Sequence, residues 1–179
     1  TGDFIDTFVS KGSGELNQPY GILFGPHDGD LYVSTGEFGK NEIKTVLRFD
    51  GETGAFIENF AKGGNLKSPR GIIFGPDGDL YVADRNLPAQ EGRVARFDGR
   101  TGEYRGDFVP LLSGGLLQPT GLVFGPSPDD LGRLDLYVLN QVGQNILRYH
   151  GETGAFLGEF VTHRSGGLEG PGGLTFGPD

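Results

Sequence analysis

Gly21-Ile-Leu-Phe-Gly-Pro26, Gly71-Ile-Ile-Phe-Gly-Pro76, Gly121-Leu-Val-Phe-Gly-Pro126 and Gly173-Leu-Thr-Phe-Gly-Pro178 recur at spacings of 50, 50 and 52 residues. A second marker runs beside the first: Thr1-Gly2-Asp3-Phe4, Thr53-Gly54-Ala55-Phe56, Thr101-Gly102-Glu103-Tyr104 and Thr153-Gly154-Ala155-Phe156, at spacings of 52, 48 and 52. Two markers in step define one repeating unit, and a period near fifty residues is the signature of a radial or linear repeat architecture.

Four short apolar runs fit within each unit: Tyr20 to Phe24, Asp30 to Ser34, Thr45 to Phe49 and Ala55 to Phe60 in the first. We call these positions A to D. Asp28-Gly29 and Asp77-Gly78 join A to B, and Asp50-Gly-Glu-Thr-Gly54 and its equivalents join C to D. Glycine supplies the positive φ that a tight reversal needs, so both links read as hairpins. Runs such as Leu31-Tyr-Val33 are apolar on both faces, which requires each sheet to be covered on both sides. Sheets stacked face to face around an axis meet that requirement. A parallel β-helix is the rival, but its coils are shorter than this unit and lack the two hairpins.

The expectation is an all-β chain: a β-propeller of four-stranded antiparallel blades, with about 3.5 blades present. Residues 1–179 form a single propeller segment. Residues 1–10 supply the last strand of a preceding blade, 17–60, 66–108 and 117–160 are whole blades, and 170–179 supply the first strand of a following one. That makes fourteen strands. Of the twenty aromatic residues, eighteen fall into five columns, Phe24/74/124/176, Tyr32/81/137, Phe49/97/Tyr149, Phe4/56/Tyr104/Phe156 and Phe8/60/108/160, all expected in the core. Half-blades at both ends leave open edges, which suit either a longer chain or self-association. The start at Thr1, inside a repeat and without Met, favours the first.

Composition narrows the function. Twenty-four acidic against fifteen basic residues give a net charge of −9, which disfavours nucleic acid as a partner. No apolar stretch is long enough to insert in a membrane. There is no cysteine, hence no disulfide, zinc thiolate or thiol nucleophile.

The run Pro-x-Gly-(Ile/Leu)-x-Phe-Gly-Pro, then Leu-Tyr-Val, then Arg-(Phe/Tyr) and Gly-x-Thr-Gly covers the whole chain. It is carried by Pro19 to Val33, Pro69 to Asp84 and Pro119 to Val138. This pattern resembles NHL repeats, in particular the bacterial versions found in secreted proteins. The resemblance implies a six-bladed propeller and an extracellular or periplasmic location. It also brings in related propellers: streptogramin lyases, peptide-amidating lyases, gluconolactonase-type hydrolases and modules that only bind partners. The enzymes' His, Glu, Asn and Asp sets do not transfer, since His27 and His150 fall in hairpin turns of different blades and His163 in a loop.

A-to-B and C-to-D turns share one edge of each blade, while B-to-C and D-to-A loops share the other. The loops on the second edge diverge (35–44, 84–93, 140–145), and variable loops on a rigid scaffold are where recognition resides. Tyr20, Arg70 and Thr120, with Gly172, precede the glycine that opens position A, and are expected to ring the channel mouth. Asp84, Arg85, Asn86 and Asn140, with Gln141, follow position B on the same edge. These seven side chains are the candidate ligand-binding set; Asp84, Asn86 and Asn140 are also the candidate metal ligands. Asp28/Asp30, Asp77/Asp79 and Asp129/Asp130 have the oxygen chemistry of calcium, although turn geometry also explains them. Arg48, Arg96 and Arg148 in position C are expected to make hydrogen bonds within or between blades.

The sequence reading is therefore a non-enzymatic binding or scaffolding module that engages a protein, a glycan or a small ligand through its variable loop edge. It needs no cofactor, with calcium or another divalent cation as the exception to be examined. The alternatives are a metal-dependent propeller lyase or lactonase-type hydrolase, and an assembly subunit completing its blades with another chain.

Overall fold

The computed structural model describes residues 2–36, 43–87 and 89–177. Most of the loop 35–44, and one position of the loop 84–93, lie outside the described residues. The chain forms three four-stranded antiparallel sheets, each built from consecutive strands. The first holds β1 (Pro19–Phe24), β2 (Leu31–Thr35), β3 (Thr45–Phe49) and β4 (Phe56–Asn59). The second holds β5 (Pro69–Phe74), β6 (Leu80–Asn86), β7 (Glu91–Phe97) and β8 (Tyr104–Val109). The third holds β9 (Pro119–Pro126), β10 (Leu134–Asn140), β11 (Asn145–His150) and β12 (Phe156–Val161). These are consecutive blades of a β-propeller, with β1, β5 and β9 side by side along the inner rim.

Burial follows the expected pattern in the middle of the array, whereas Phe8, Phe24, Phe160 and Phe176, also expected in the core, are 40% to 60% exposed at its two ends. The second strands are buried on both faces: β6 lies between two blades, β2 is covered on its outer side by Val9 and Leu16, and β10 is covered in part by Phe176. Tyr32, Val46, Phe60, Ile72, Val82 and Phe97 fill the space between the first two sheets. Tyr81, Val94, Phe108, Leu122, Val138 and Tyr149 fill the next. One three-ring unit repeats at each step: Tyr32 lies edge-on between Phe60 (4.9 Å) and Phe74 (5.1 Å), Tyr81 between Phe108 (4.9 Å) and Phe124 (5.1 Å). Each tyrosine therefore joins its own blade to the next through an aromatic contact of favourable geometry.

The Thr-Gly marker has a packing reason. Gly54, Gly102 and Gly154 have φ near 70° at the end of the C-to-D turn. A Cβ on Gly102 would also stand 1.9 Å from the carbonyl oxygen of Phe60, just past the preceding blade's last strand. Only glycine satisfies both the conformation and the contact.

Two expectations need correction. The column Phe4/56/Tyr104/Phe156 is not core: Phe56, Tyr104 and Phe156 are about two-fifths exposed and Phe4 is 81% exposed. Phe56, Tyr104 and Phe156 open the outermost strand of their blades, which has a neighbour on one side only, and lean on Phe49, Phe97 and Tyr149. The strand count is twelve among the described residues, not fourteen. Residues 2–10 and 168–177 carry no ladder. The segment 172–176 nonetheless stands where a fourth inner strand would: Phe176 packs on Tyr137 at 5.1 Å, as Phe124 does on Tyr81. No partner strand follows it among the described residues, so its backbone forms no sheet.

Candidate functional site

The inner strands begin on the loop edge with Pro-x-Gly, and the glycine allows the blades to converge there. A Cβ on Gly21 would meet the Arg70 carbonyl oxygen at 2.7 Å, and one on Gly71 would meet that of Thr120 at 2.7 Å. The residue before each glycine consequently faces its counterparts around the rim. Tyr20, Arg70 and Thr120 line one cavity of about 650 Å³, together with Arg85, Gln141 and the glycines of the segment 172–173. Its floor is Ile22, Ile72, Leu122 and Leu174.

Arg70 is the buried centre of this trough, only 4% exposed. Its guanidinium carbon lies 3.3 Å from the centroid of the Tyr20 ring, the geometry of a cation–π contact. Burial pushes its pKa down to about 10, so the group remains charged at neutral pH. Its backbone is tied to the neighbouring blade through Ser34, whose hydroxyl donates to the Arg70 carbonyl at 2.5 Å while accepting from Gly21 N at 2.8 Å. Arg85 reaches across to the next blade and donates to Gln141 Oε1 at 3.4 Å. Thr120 Oγ1 donates to the Pro171 carbonyl at 3.0 Å, which anchors the segment that closes the trough's far side.

The other expected residues are placed differently. Asp84 is 2% exposed, and its Oδ1 accepts from the backbone amides of Lys67 (2.9 Å) and Ser68 (2.8 Å). Arg93 binds its other oxygen through Nε (3.0 Å) and an Nη (2.9 Å). Burial pushes the Asp84 carboxyl up, against the pull of these four donors. Asn140, at the same repeat position, accepts from Leu117 N (3.0 Å) and donates to the Gly115 carbonyl (3.0 Å). Thr35, the first blade's equivalent, bonds both the amide and the carbonyl of Asn17. The position thus holds the incoming loop in every blade; sequence reading had placed Asp84 and Asn140 on the rim, and the polar residue at the same repeat position in all three blades is the signal of this role. Asn86 donates to Glu91 Oε2 at 2.8 Å. Asp84 and Asn86 line a second, smaller cavity of about 180 Å³ with Arg93 and Asp107, whereas Asn140 lines neither.

Asp84, Asn86 and Asn140 do not share a cavity, and among the described residues no group of three His, Asp or Glu side chains converges. The turn carboxylates are engaged by the strand arginines: Arg48 with Asp28 (2.9 Å) and Asp30 (2.7 Å), Arg96 with Asp77 (2.5 Å) and Asp79 (2.7 Å), and Arg148 with Asp129. His27 and His163 meet backbone carbonyls, of Gly78 (3.0 Å) and Gly143 (2.8 Å). No helix is long and apolar enough to cross a membrane among the described residues.

No protein-family model matches the sequence. A search of curated proteins gives no match. Solved structures match the fold. A chain of a nidogen/laminin complex aligns with TM-score 0.59 and 16% identity over 86% of this chain and 50% of its own. A candidate gluconolactonase aligns with TM-score 0.60 and 21% identity, over 94% and 54%. An auxiliary nutrient binding protein from Bacteroides thetaiotaomicron aligns with TM-score 0.55 and 18% identity, over 86% and 41%. The chain spans about half the length of these structures. At such identities the likeness establishes the propeller fold alone.

Proposed function

We propose that this chain is a non-enzymatic binding module of the NHL type, working outside the cytoplasm, whose ligand enters the inner trough at the loop edge. The observation that carries this reading is the trough itself. A cavity of about 650 Å³ falls within the ~300–1,000 Å³ usual for small-ligand sites. It combines an apolar floor with a few convergent polar groups, Arg70, Arg85, Thr120 and Gln141, on an otherwise acidic chain. The nidogen/laminin and nutrient-binding neighbours support a binding role and an extracytoplasmic setting.

Gly172 lines the trough and has open space around it, with nothing within 4 Å of an added Cβ. Gly172→Trp therefore fills the trough without disturbing the blades. In a thermal-shift screen of small molecules, compounds that raise the melting temperature of the wild type should lose that effect on Gly172→Trp, since stabilisation tracks occupancy. Compounds that stabilise both proteins equally would place the site elsewhere.

A further inference from the structure

We infer that the two end faces of the three-blade array fit each other, so that a second copy of this chain docks head to tail and two copies close one ring of six blades. The inference goes beyond the ligand reading and does not depend on it.

The first ground is a contact that the chain already makes twice. Strand β5 lays Ile72 and Phe74 on the first blade, against Tyr32 and Phe60, and β9 lays Leu122 and Phe124 on the second, against Tyr81 and Phe108. Ile72 and Leu122 are buried there. Strand β1 carries the same pair, Ile22 and Phe24, two residues apart and so on one face. They are 67% and 60% exposed. The opposite end of the array offers the matching surface, Tyr137 with Phe160 at 4.7 Å, and Phe160 is 48% exposed where Phe60 and Phe108 are buried. Docking β1 of a second copy on the third blade repeats an interface whose fit is established between neighbouring blades, and it takes Ile22, Phe24 and Phe160 out of water.

The second ground is that short segments of the chain already stand in both places. Segment 172–176 sets Leu174 against Gly121 and Phe176 on Tyr137, as Leu122 meets Gly71 and Phe124 meets Tyr81. At the other end Phe8 sets its carbonyl oxygen against Gly54, as Phe60 does against Gly102 and Phe108 against Gly154. Neither segment carries a ladder. Strands β1 and β12 each bring a sheet with them, through pairs such as Leu23 with Tyr32 and Leu147 with Glu159. Exchanging segment 172–176 for β1 of the second copy, and residues 4–8 of that copy for β12, replaces each contact by its like and adds the burial of the exposed apolar residues.

Closure is the third ground. Three blades are fewer than the about four to eight that complete a propeller ring, and two copies supply six. A head-to-tail contact that closes in this way ends in a ring and not a filament. The chain spans 50% and 54% of two propeller chains that it overlays, so two copies match one of them in length. In the pair, Tyr20 of the second copy takes the place on the trough that Gly172 holds in the single chain.

Sedimentation equilibrium of the whole chain, from about 1 μM to about 1 mM, tests the pairing. The mass should pass from 19.1 kDa to twice that value and stay there. Phe24→Asp, at a side chain exposed in the single chain, should weaken pairing about a hundredfold or more by burying an unpaired charge, and should leave the melting temperature of the dilute protein unchanged. Phe176→Ala should instead tighten pairing about fivefold or more, because it weakens the segment that competes with β1 and so raises the fraction of chains ready to pair.

A single mass over the whole range, or a mass that climbs past two copies without a plateau, would overturn the inference. So would pairing unchanged in Phe24→Asp, or pairing weakened or unchanged in Phe176→Ala. Ligand binding by the dilute single chain is measured separately with Gly172→Trp, so either reading can fail without the other.

Discussion

Arg96 donates through Nε to Asp79 Oδ2 at 2.7 Å, while the other oxygen of the same carboxylate accepts from Gly99 N at 3.2 Å. One aspartate thereby fastens the third strand of its blade and the turn leading to the fourth. The first blade repeats the arrangement with Arg48 Nε to Asp30 Oδ2 at 2.7 Å and Gly51 N to Asp30 Oδ1 at 3.1 Å. In the third blade Arg133 supplies the close bond to Asp135, at 3.1 Å, and Arg148 stands off at 3.8 Å.

Removing this anchor should be costly. Asp79→Ala leaves Arg96 and the Gly99 amide without their shared acceptor, and should destabilise the protein by about 2 kcal/mol, the scale for charged hydrogen bonds. Asp79→Asn, which keeps one oxygen, should cost less. Urea unfolding midpoints at unchanged slope check both.

Asp84 is the analogous anchor on the loop edge. Asp84→Ala removes the acceptor of two backbone amides and strips Arg93 of the carboxylate oxygen that takes two of its N–H bonds, so a loss of about 3 kcal/mol is expected. Amide exchange at Lys67 and Ser68 should accelerate. Asp84→Asn should recover part of the loss, because Asn140 performs the same task in the third blade.

How much of this was legible in the sequence depends on which residues are asked. The glycine and phenylalanine columns revealed the blades because every unit must satisfy the same packing, and Phe74 on Tyr32 and Phe124 on Tyr81 are one contact written twice. The rim residues Tyr20, Arg70, Thr120 and Arg85 were reachable too, since position before the column glycine dictates where they face. Asp84 and Asn140 were misjudged as available side chains because a polar residue at a strand end looks the same whether it faces solvent or caps a loop. The burial of Arg70 under Tyr20 was also hidden: it arises only when corresponding positions of adjacent blades are brought together. The terminal segments read as strands by pattern, but a ladder needs a partner.

The inner glycines should separate by position. Gly71→Ala forces a Cβ against the Thr120 carbonyl and Gly121 Cα, backbone atoms that cannot yield, and should cost about 1–3 kcal/mol by overpacking. Gly172→Ala meets nothing and should stay within about 0.5 kcal/mol of wild type. Thermal unfolding of the pair measures the difference.

Alkaline stability follows from the tyrosines. Burial, reinforced by hydrogen bonds to Asp28 and Asp77, holds the Tyr32 and Tyr81 phenols neutral well above their ordinary range, burial alone does so for Tyr149, and Tyr104 is pushed up to about 12. Above pH ~10 the unfolded chain releases these protons while the folded chain retains them. Stability is therefore full below about pH 10 and falls as pH rises beyond it. Absorbance titration near 295 nm should show phenols that ionise only on unfolding, and Tyr81→Phe should flatten the decline.

The most direct test of the trough as the binding site uses a residue type that the chain lacks. With no tryptophan in the sequence, Tyr20→Trp places a single fluorophore over Arg70 at the trough wall. The account predicts a saturable change in its emission on addition of a ligand that stabilises the fold, with a midpoint equal to the calorimetric dissociation constant, and no such change in the Tyr20→Trp, Gly172→Trp double variant excited under difference conditions against its ligand-free form. A ligand that binds by calorimetry and leaves the Tyr20→Trp emission untouched would contradict it.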